Sequence, residues 1–112
     1  MKPGYSLWIK NDNGDKVFGQ GPYRLLLLVD NLGSLNKAAS EMGMAYSKAL
    51  NIIKNAEEEL NMELLEREIG GAKGGGSKLT KEAKELIDKY ERFRNAAVEE
   101  IEKIYEDIFC RK

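Results

Sequence analysis

"GSLNKAASEMGMAYSKALNIIKNAEEELNMELLERE", Gly33 to Glu68, holds two helical patterns in one short stretch. Ser34 is placed to cap "LNKAASEM", which Gly43 ends, and a further helix covers about residues 46 to 60 and closes at Asn61. Ala38, Ala39 and Met42 in the first, and Ala49, Ile53, Ala56 and Leu60 in the second, fall at helical spacing. Alanines at those positions let two helices cross closely. Upstream, after "GQGP", Pro22 suits the first turn of a helix running through "YRLLLLVDNL" to Gly33. Helix, Gly-containing turn and helix in this compass predict a helix-turn-helix, whose second helix lies in the DNA major groove.

Rotating that second helix by roughly 100° per residue leaves Ser47, Asn51, Lys54 and Asn55 opposite the apolar stripe, with Tyr46 and Lys48 at its N-terminal end. Asparagine can pair with adenine, serine or lysine with bases or phosphate, and tyrosine can stack on sugar or bond a phosphate. An ordinary amphipathic surface helix would show the same face. The preceding helix and a lysine-bearing loop downstream favour DNA.

That loop, "GGAKGGGSK" at residues 70–78, invites a nucleotide-binding reading. A Walker A loop needs G-x-x-x-x-G-K-[ST], but counting from Gly71 gives Gly76-Ser77-Lys78, with lysine and serine in the wrong order. The flanking "LLERE" and "SKLT" instead read as short strands that the loop joins into a two-stranded wing. Glycines allow close backbone approach to phosphate, and Lys73 and Lys78 supply charge. A flexible hairpin with solubilising lysines is the bland alternative, and Arg67 can equally pair with Glu66 or Glu63.

Composition narrows the function classes. The chain has 112 residues and a formal net charge of −1, which suits one small domain with an appended helix. Charge is nevertheless uneven. Residues 45–56 carry Lys48 and Lys54 without an acid, and residues 69–81 carry Lys73, Lys78 and Lys81 without one, so two local segments can attract a polyanion. The longest apolar run, "LLLLV" from Leu25 to Val29, is far short of the roughly 20 residues of a membrane span. With no histidine and only Cys110, no Cys-His pair or His general base can be built. No enzyme, metal or cofactor is expected. The single cysteine and the lack of an apolar leader point to a reducing cytoplasm.

Residues 33–68 resemble, without a gap, the DNA-binding region of LysR-type regulators: a Ser/Ala-rich helix, a recognition helix, an E-x-E-L run and an L-F-E-R strand. "ERxxGGxxGGG" followed by "LT", here Glu66-Arg67, Gly70-Gly71, Gly74 to Gly76 and Leu79-Thr80, resembles the wing of the molybdate-responsive ModE-type regulators, as does the tyrosine in "GMAYSKA". The likeness covers residues 22 to about 95 and implies a winged helix-turn-helix that binds double-stranded DNA; the N-terminal hairpin is also similar to that of short ModE-type proteins. Ala45 stands where the family usually has a capping serine, and Leu50 where ModE-type chains tend to show an aromatic. The family's molybdate-binding domains would follow, whereas the sequence stops at Lys112. A stand-alone DNA-binding domain is the expectation, with molybdate binding unsupported by this chain.

At the N-terminus, "YSLWI" alternates and "KVF" follows "NDNG", predicting a hairpin turned at Asn13-Gly14 that lies on the neighbouring domain or pairs across a dimer. At the C-terminus, Thr80 can cap a helix of about 29 residues, projecting roughly 44 Å. Leu86, Tyr90, Phe93, Ala97, Ile101, Ile104 and Ile108 form its main apolar row, too long for one small domain to cover. Its simplest partner is its own copy, giving a homodimer that reads an inverted-repeat operator.

The expected fold class is therefore mainly α: a β-hairpin at residues 1–21, a winged helix-turn-helix at 22–80 and a dimerisation helix at 81–112. The expected function is a cytoplasmic, sequence-specific transcriptional regulator. Tyr46, Ser47, Lys48, Asn51, Lys54, Asn55, Lys73 and Lys78 are the expected DNA contacts. An adaptor that lends its long helix to another protein and does not bind DNA is the alternative.

Overall fold

The structure, a computed structural model, describes residues 1–67 and 76–110. Its elements run β1 (Ile9–Lys10), β2 (Lys16–Phe18), α1 (Gln20–Leu32), α2 (Leu35–Glu41), α3 (Tyr46–Leu60), β3 (Leu65–Arg67), β4 (Ser77–Leu79) and α4 (Lys81–Tyr105), with a π-helical turn at Glu106–Cys110. Gly33 and Asn61 end α1 and α3 in the left-handed conformation, at φ 73° and 52°. Ser34 Oγ accepts from Lys37 N at the start of α2, and Thr80 Oγ1 accepts from Ala83 N at the start of α4. Ala45, by contrast, gives α3 no side-chain cap.

One core serves the helix-turn-helix and its neighbours. Leu25, Leu26 and Val29 of α1 meet Leu35, Ala38 and Ala39 of α2 and Ala49, Ile53 and Ala56 of α3. These buried positions recur every three or four residues, so each helix turns one apolar stripe inward. Val17 and Phe18 of β2 enter the same core, as do Ala83, Ile87 and Tyr90 of α4. The hairpin thus packs within its own chain.

The hairpin itself is shorter than the alternation of "YSLWI" predicts, with only Ile9–Lys10 in β1. Since β2 has three residues and Gly19 already opens α1, Tyr5 to Trp8 have no ladder to join. Leu7 O instead accepts from Tyr90 Oη at 2.9 Å. Trp8 crosses Gly19 so closely that a Cβ there would stand 2.9 Å from Trp8 Cβ. At the turn, only Gly14 has positive φ, at 90°, and Asn11 O accepts from Gly14 N at 3.0 Å. A two-residue type I′ turn would need positive φ at Asn13 as well. The chain instead makes a four-residue turn with a glycine bulge, and Asn11 Oδ1 accepts from Asn13 N and Asp15 N.

Tyr90 belongs by spacing to the apolar row expected to dimerise, but it is only 2% exposed. Its ring meets Phe18 edge-on at 5.3 Å and Tyr23 at 5.0 Å. Tyr90 is therefore a core residue, because the helical phase that carries Ala83 and Ile87 inward carries it too. Leu86 is half-buried against the same core. Beside them, Tyr23 Oη donates to Glu91 Oε2. That bond, with burial and the carboxylate's charge, holds the phenol pKa above its ordinary value.

Past Tyr90, α4 leaves the body of the molecule. The radius of gyration is 17.0 Å and the longest extent 66 Å, whereas a compact chain of this length would measure roughly 13 Å in radius. Phe93 is 48% exposed, Ile104 54%, Ile108 69% and Phe109 72%. Met1, Lys2 and Pro3 share a groove with Glu102, Tyr105, Glu106 and Cys110 along this projecting half. Among the described residues, no helix is long and apolar enough to cross a membrane.

Candidate nucleic-acid interface

Helix α3 is held by its apolar edge, with Ala49, Ile53 and Ala56 buried, and this fixes what its opposite edge presents. Ser47, Lys48, Asn51, Lys54 and Asn55 are all exposed, and so is Tyr46 at the N-terminal end. Ser47, Lys48, Asn51, Lys54 and Asn55 share the face opposite the buried edge, while Tyr46 stands at the first turn, in phase with buried Ile53. All its cationic groups there lie on flexible stems, while Ser47, Asn51 and Asn55 are short and lie close to the helix axis. Such a face can bond base edges with the short side chains and backbone phosphates with the long ones.

Hydrogen bonds hold the neighbouring wing in place. Thr80 N donates to Leu64 O at 3.0 Å, Ser77 N to Gly33 O at 3.0 Å, and Thr80 Oγ1 to Glu63 O at 2.6 Å. Glu57 Oε2 accepts from Leu64 N at 2.7 Å, tying the last turns of α3 to the strand that follows. The antiparallel pair β3–β4 sets Leu65 opposite Leu79, Glu66 opposite Lys78 and Arg67 opposite Ser77.

Side chains alternate across such a ladder, so Leu65, Arg67, Ser77 and Leu79 share one face while Glu66 and Lys78 share the other. Leu79 is buried, which makes the first face the inner one. Lys78 is therefore on the outer face, where its Nζ stands 4.0 Å from Glu66 Oε2 in an exposed pair. On the inner face, Arg67 Nη2 donates to Tyr46 Oη at 3.3 Å. By sequence position Arg67 can equally pair with Glu66 or Glu63. The strand register, counted from the apolar Leu65, points it toward the recognition helix instead. Lys73 and the glycines at 70, 71, 74 and 75 lie outside the described residues.

Metal-like clusters of three or more His, Cys, Asp or Glu are absent among the described residues. One groove is lined by Glu57, Glu58, Asn61, Met62 and Glu63, and another by Tyr5, Ser6, Leu7, Gln20 and Arg94. Neither groove sets a nucleophile against a base.

Known proteins resemble this chain in sequence and in fold. Residues 22–84 match the family described as bacterial regulatory helix-turn-helix protein, lysR family. Over 65 residues the chain is 38% identical to the molybdenum transport protein ModE of Herbaspirillum seropedicae, covering 58% of this chain and 24% of that protein. Over 68 residues it is 35% identical to the transcriptional regulator ModE of Haemophilus influenzae, covering 61% of this chain and 27% of that protein. The matched region thus spans about a quarter of the length of these curated relatives. Among solved structures, the BenM_DBD/benA site 1 DNA complex superposes with a TM-score of 0.53 at 27% identity, covering 79% of this chain and 92% of that one. The BenM_DBD/catB site 1 DNA complex gives 0.53 at 26% identity, covering 82% and 96%. This family is regulatory, not catalytic. The chain belongs to the lysR family of bacterial regulatory helix-turn-helix proteins, and its fold is a winged helix-turn-helix like that of the two BenM_DBD complexes.

Proposed function

We propose that the protein is a transcriptional regulator that acts as a homodimer on an inverted-repeat operator in double-stranded DNA. The observation that carries this reading is the exposed edge of α3, Ser47, Lys48, Asn51 and Asn55, set opposite a fully buried edge. Those four meet base edges in the major groove, and Tyr46 and Lys54 meet phosphates. Lys73, at the wing's tip in the sequence, adds a phosphate contact or enters the adjacent minor groove, while Lys78 contributes through long-range charge.

Dimerisation falls to the projecting half of α4. Phe93, Ala97, Ile101, Ile104 and Ile108 make the seam, and Leu86 and Tyr90 serve their own domain. The exposure of Phe93, Ile104 and Ile108 supports this reading. A second copy brings a second recognition helix, which matches a half-site about one helical turn or a multiple away.

Within the family, the DNA-binding part is of the ModE type. Two relatives of that name support the assignment, together with the tyrosine that opens α3. Its place of action is the cytoplasm. No molybdate site is assigned to these residues.

A salt-dependent mobility shift on duplex from the gene's own promoter region tests this function. Binding should weaken steeply with salt, and Asn51→Ala should change sequence preference more than overall affinity. A protein that sediments as a monomer and shifts no duplex at low salt would favour the adaptor reading instead.

A further inference from the structure

Strand β3 contributes a cation that faces the recognition helix, on the opposite face of the wing from Lys78. Arg67 is the last residue of β3 and Tyr46 the first of α3, yet Arg67 Nη2 donates to Tyr46 Oη at 3.3 Å across the junction. Both side chains are exposed. We propose that Arg67 and Tyr46 together form a clamp for one phosphate of the DNA backbone, where the recognition helix meets the wing. The clamp rests on the DNA-binding reading above and adds to it a positioning residue, Arg67.

Donors and acceptors fit this role. A guanidinium carries five N–H donors in a planar fork and accepts nothing. Tyr46 Oη accepts one of those bonds, which leaves the phenol O–H free to donate. A phosphate offers acceptors only, so it can take the phenol O–H and a remaining pair of guanidinium N–H groups together. Hydrogen bonding to the arginine also draws electron density from the phenol oxygen and makes its O–H a stronger donor. Lys78 contrasts on both counts, since it lies on the opposite face of the wing beside Glu66. Because Tyr46 begins the helix that carries Ser47 and Asn51, a phosphate gripped there fixes the depth at which those residues enter the groove.

Fluorescence anisotropy with a labelled mixed-sequence duplex of about three helical turns, titrated at several salt concentrations, tests the clamp. Arg67→Ala should weaken binding about tenfold at low salt and flatten the slope of log affinity against log salt by about 0.9, the loss of one phosphate contact. Tyr46→Phe should weaken it about threefold, and the double variant should be no weaker than Arg67→Ala alone, as one shared contact requires. Arg67→Lys should restore the salt slope but stay several-fold weaker than wild type, because a point charge cannot hold the phenol and a phosphate together.

A wild-type salt slope in Arg67→Ala, or losses that simply add in the double variant, would overturn the clamp. Should Arg67→Ala not fold, Tyr46→Phe and Arg67→Lys decide it: wild-type affinity in both overturns it equally. If the wild type itself binds no duplex, the DNA-binding reading and the clamp fall together. Wild-type binding that ignores Arg67 removes the clamp alone.

Discussion

Thr80 ties three parts of the chain at one point. Its hydroxyl caps α4 by accepting from Ala83 N at 3.0 Å and donates to Glu63 O at 2.6 Å, with the residue only 4% exposed. Thr80→Ala should therefore cost about 2 kcal/mol, the sum of a lost cap and a buried carbonyl left without its donor. Thr80→Ser should recover most of it in urea denaturation. Ala45 predicts the opposite sign. Its backbone already has N-cap geometry, φ −67° and ψ 147°, without a side-chain acceptor. Ala45→Ser should add about 1 kcal/mol, a rise of about 4–8 °C in the thermal midpoint of a domain this size. Tyr23 sets a limit at high pH. Its folded pKa is raised, first by the hydrogen bond to Glu91, so the neutral phenol is the form that folding favours. The contribution is full below the unfolded value of about 10 and is lost as pH rises through the folded value. Tyr23→Phe should lower stability by roughly 1 kcal/mol at neutral pH, and the gap from wild type should close above pH 10. A gap that stays constant to high pH would contradict the assigned bond.

Elements differ in how far the sequence reveals them. Phe18 lies in a three-residue strand, yet it is fully buried against Tyr90. Phe18→Ala should cost about 3–5 kcal/mol, as much as a central helix residue, and chemical denaturation would read it. The helices were legible because their stops are chemical: Gly33 and Asn61 take positive φ, and Ser34 and Thr80 have hydroxyls where caps are needed. The wing was legible too, from "LLERE" and "SKLT". What local pattern could not supply is which face a long side chain turns to tertiary partners. By spacing Tyr90 fits both the row expected to dimerise and the stripe that Ala83 and Ile87 turn inward, and only its contacts with Phe18, Tyr23 and Leu7 decide. Trp8 and its neighbours alternate like a strand, but a strand needs a partner of equal length, and β2 is too short. On the site, the exposed edge of α3 followed directly from helical phase. Arg67 did not, since its bond to Tyr46 joins residues 21 positions apart and depends on the wing's register.

At the scale of the molecule, two ends have different work. One end packs a single core beneath α3, and the other extends an apolar row on α4 away from it, giving the 66 Å extent. The proposed seam predicts that Ile104→Glu with Ile108→Glu converts a dimer to a monomer in sedimentation velocity while helical circular dichroism of the winged domain persists. DNA affinity should then fall by far more than either half-site alone would account for, because the second recognition helix is no longer tethered at high effective concentration. A double variant that still sediments as a dimer would move the interface elsewhere. The proposed reading of a two-fold symmetric DNA sequence is checked by exposing fragmented genomic DNA to the purified protein and sequencing what is retained. The account predicts enrichment of an inverted repeat whose half-sites are about one helical turn or a multiple apart, lost in Asn51→Ala. Retained fragments with no shared motif, or none above background, would contradict it.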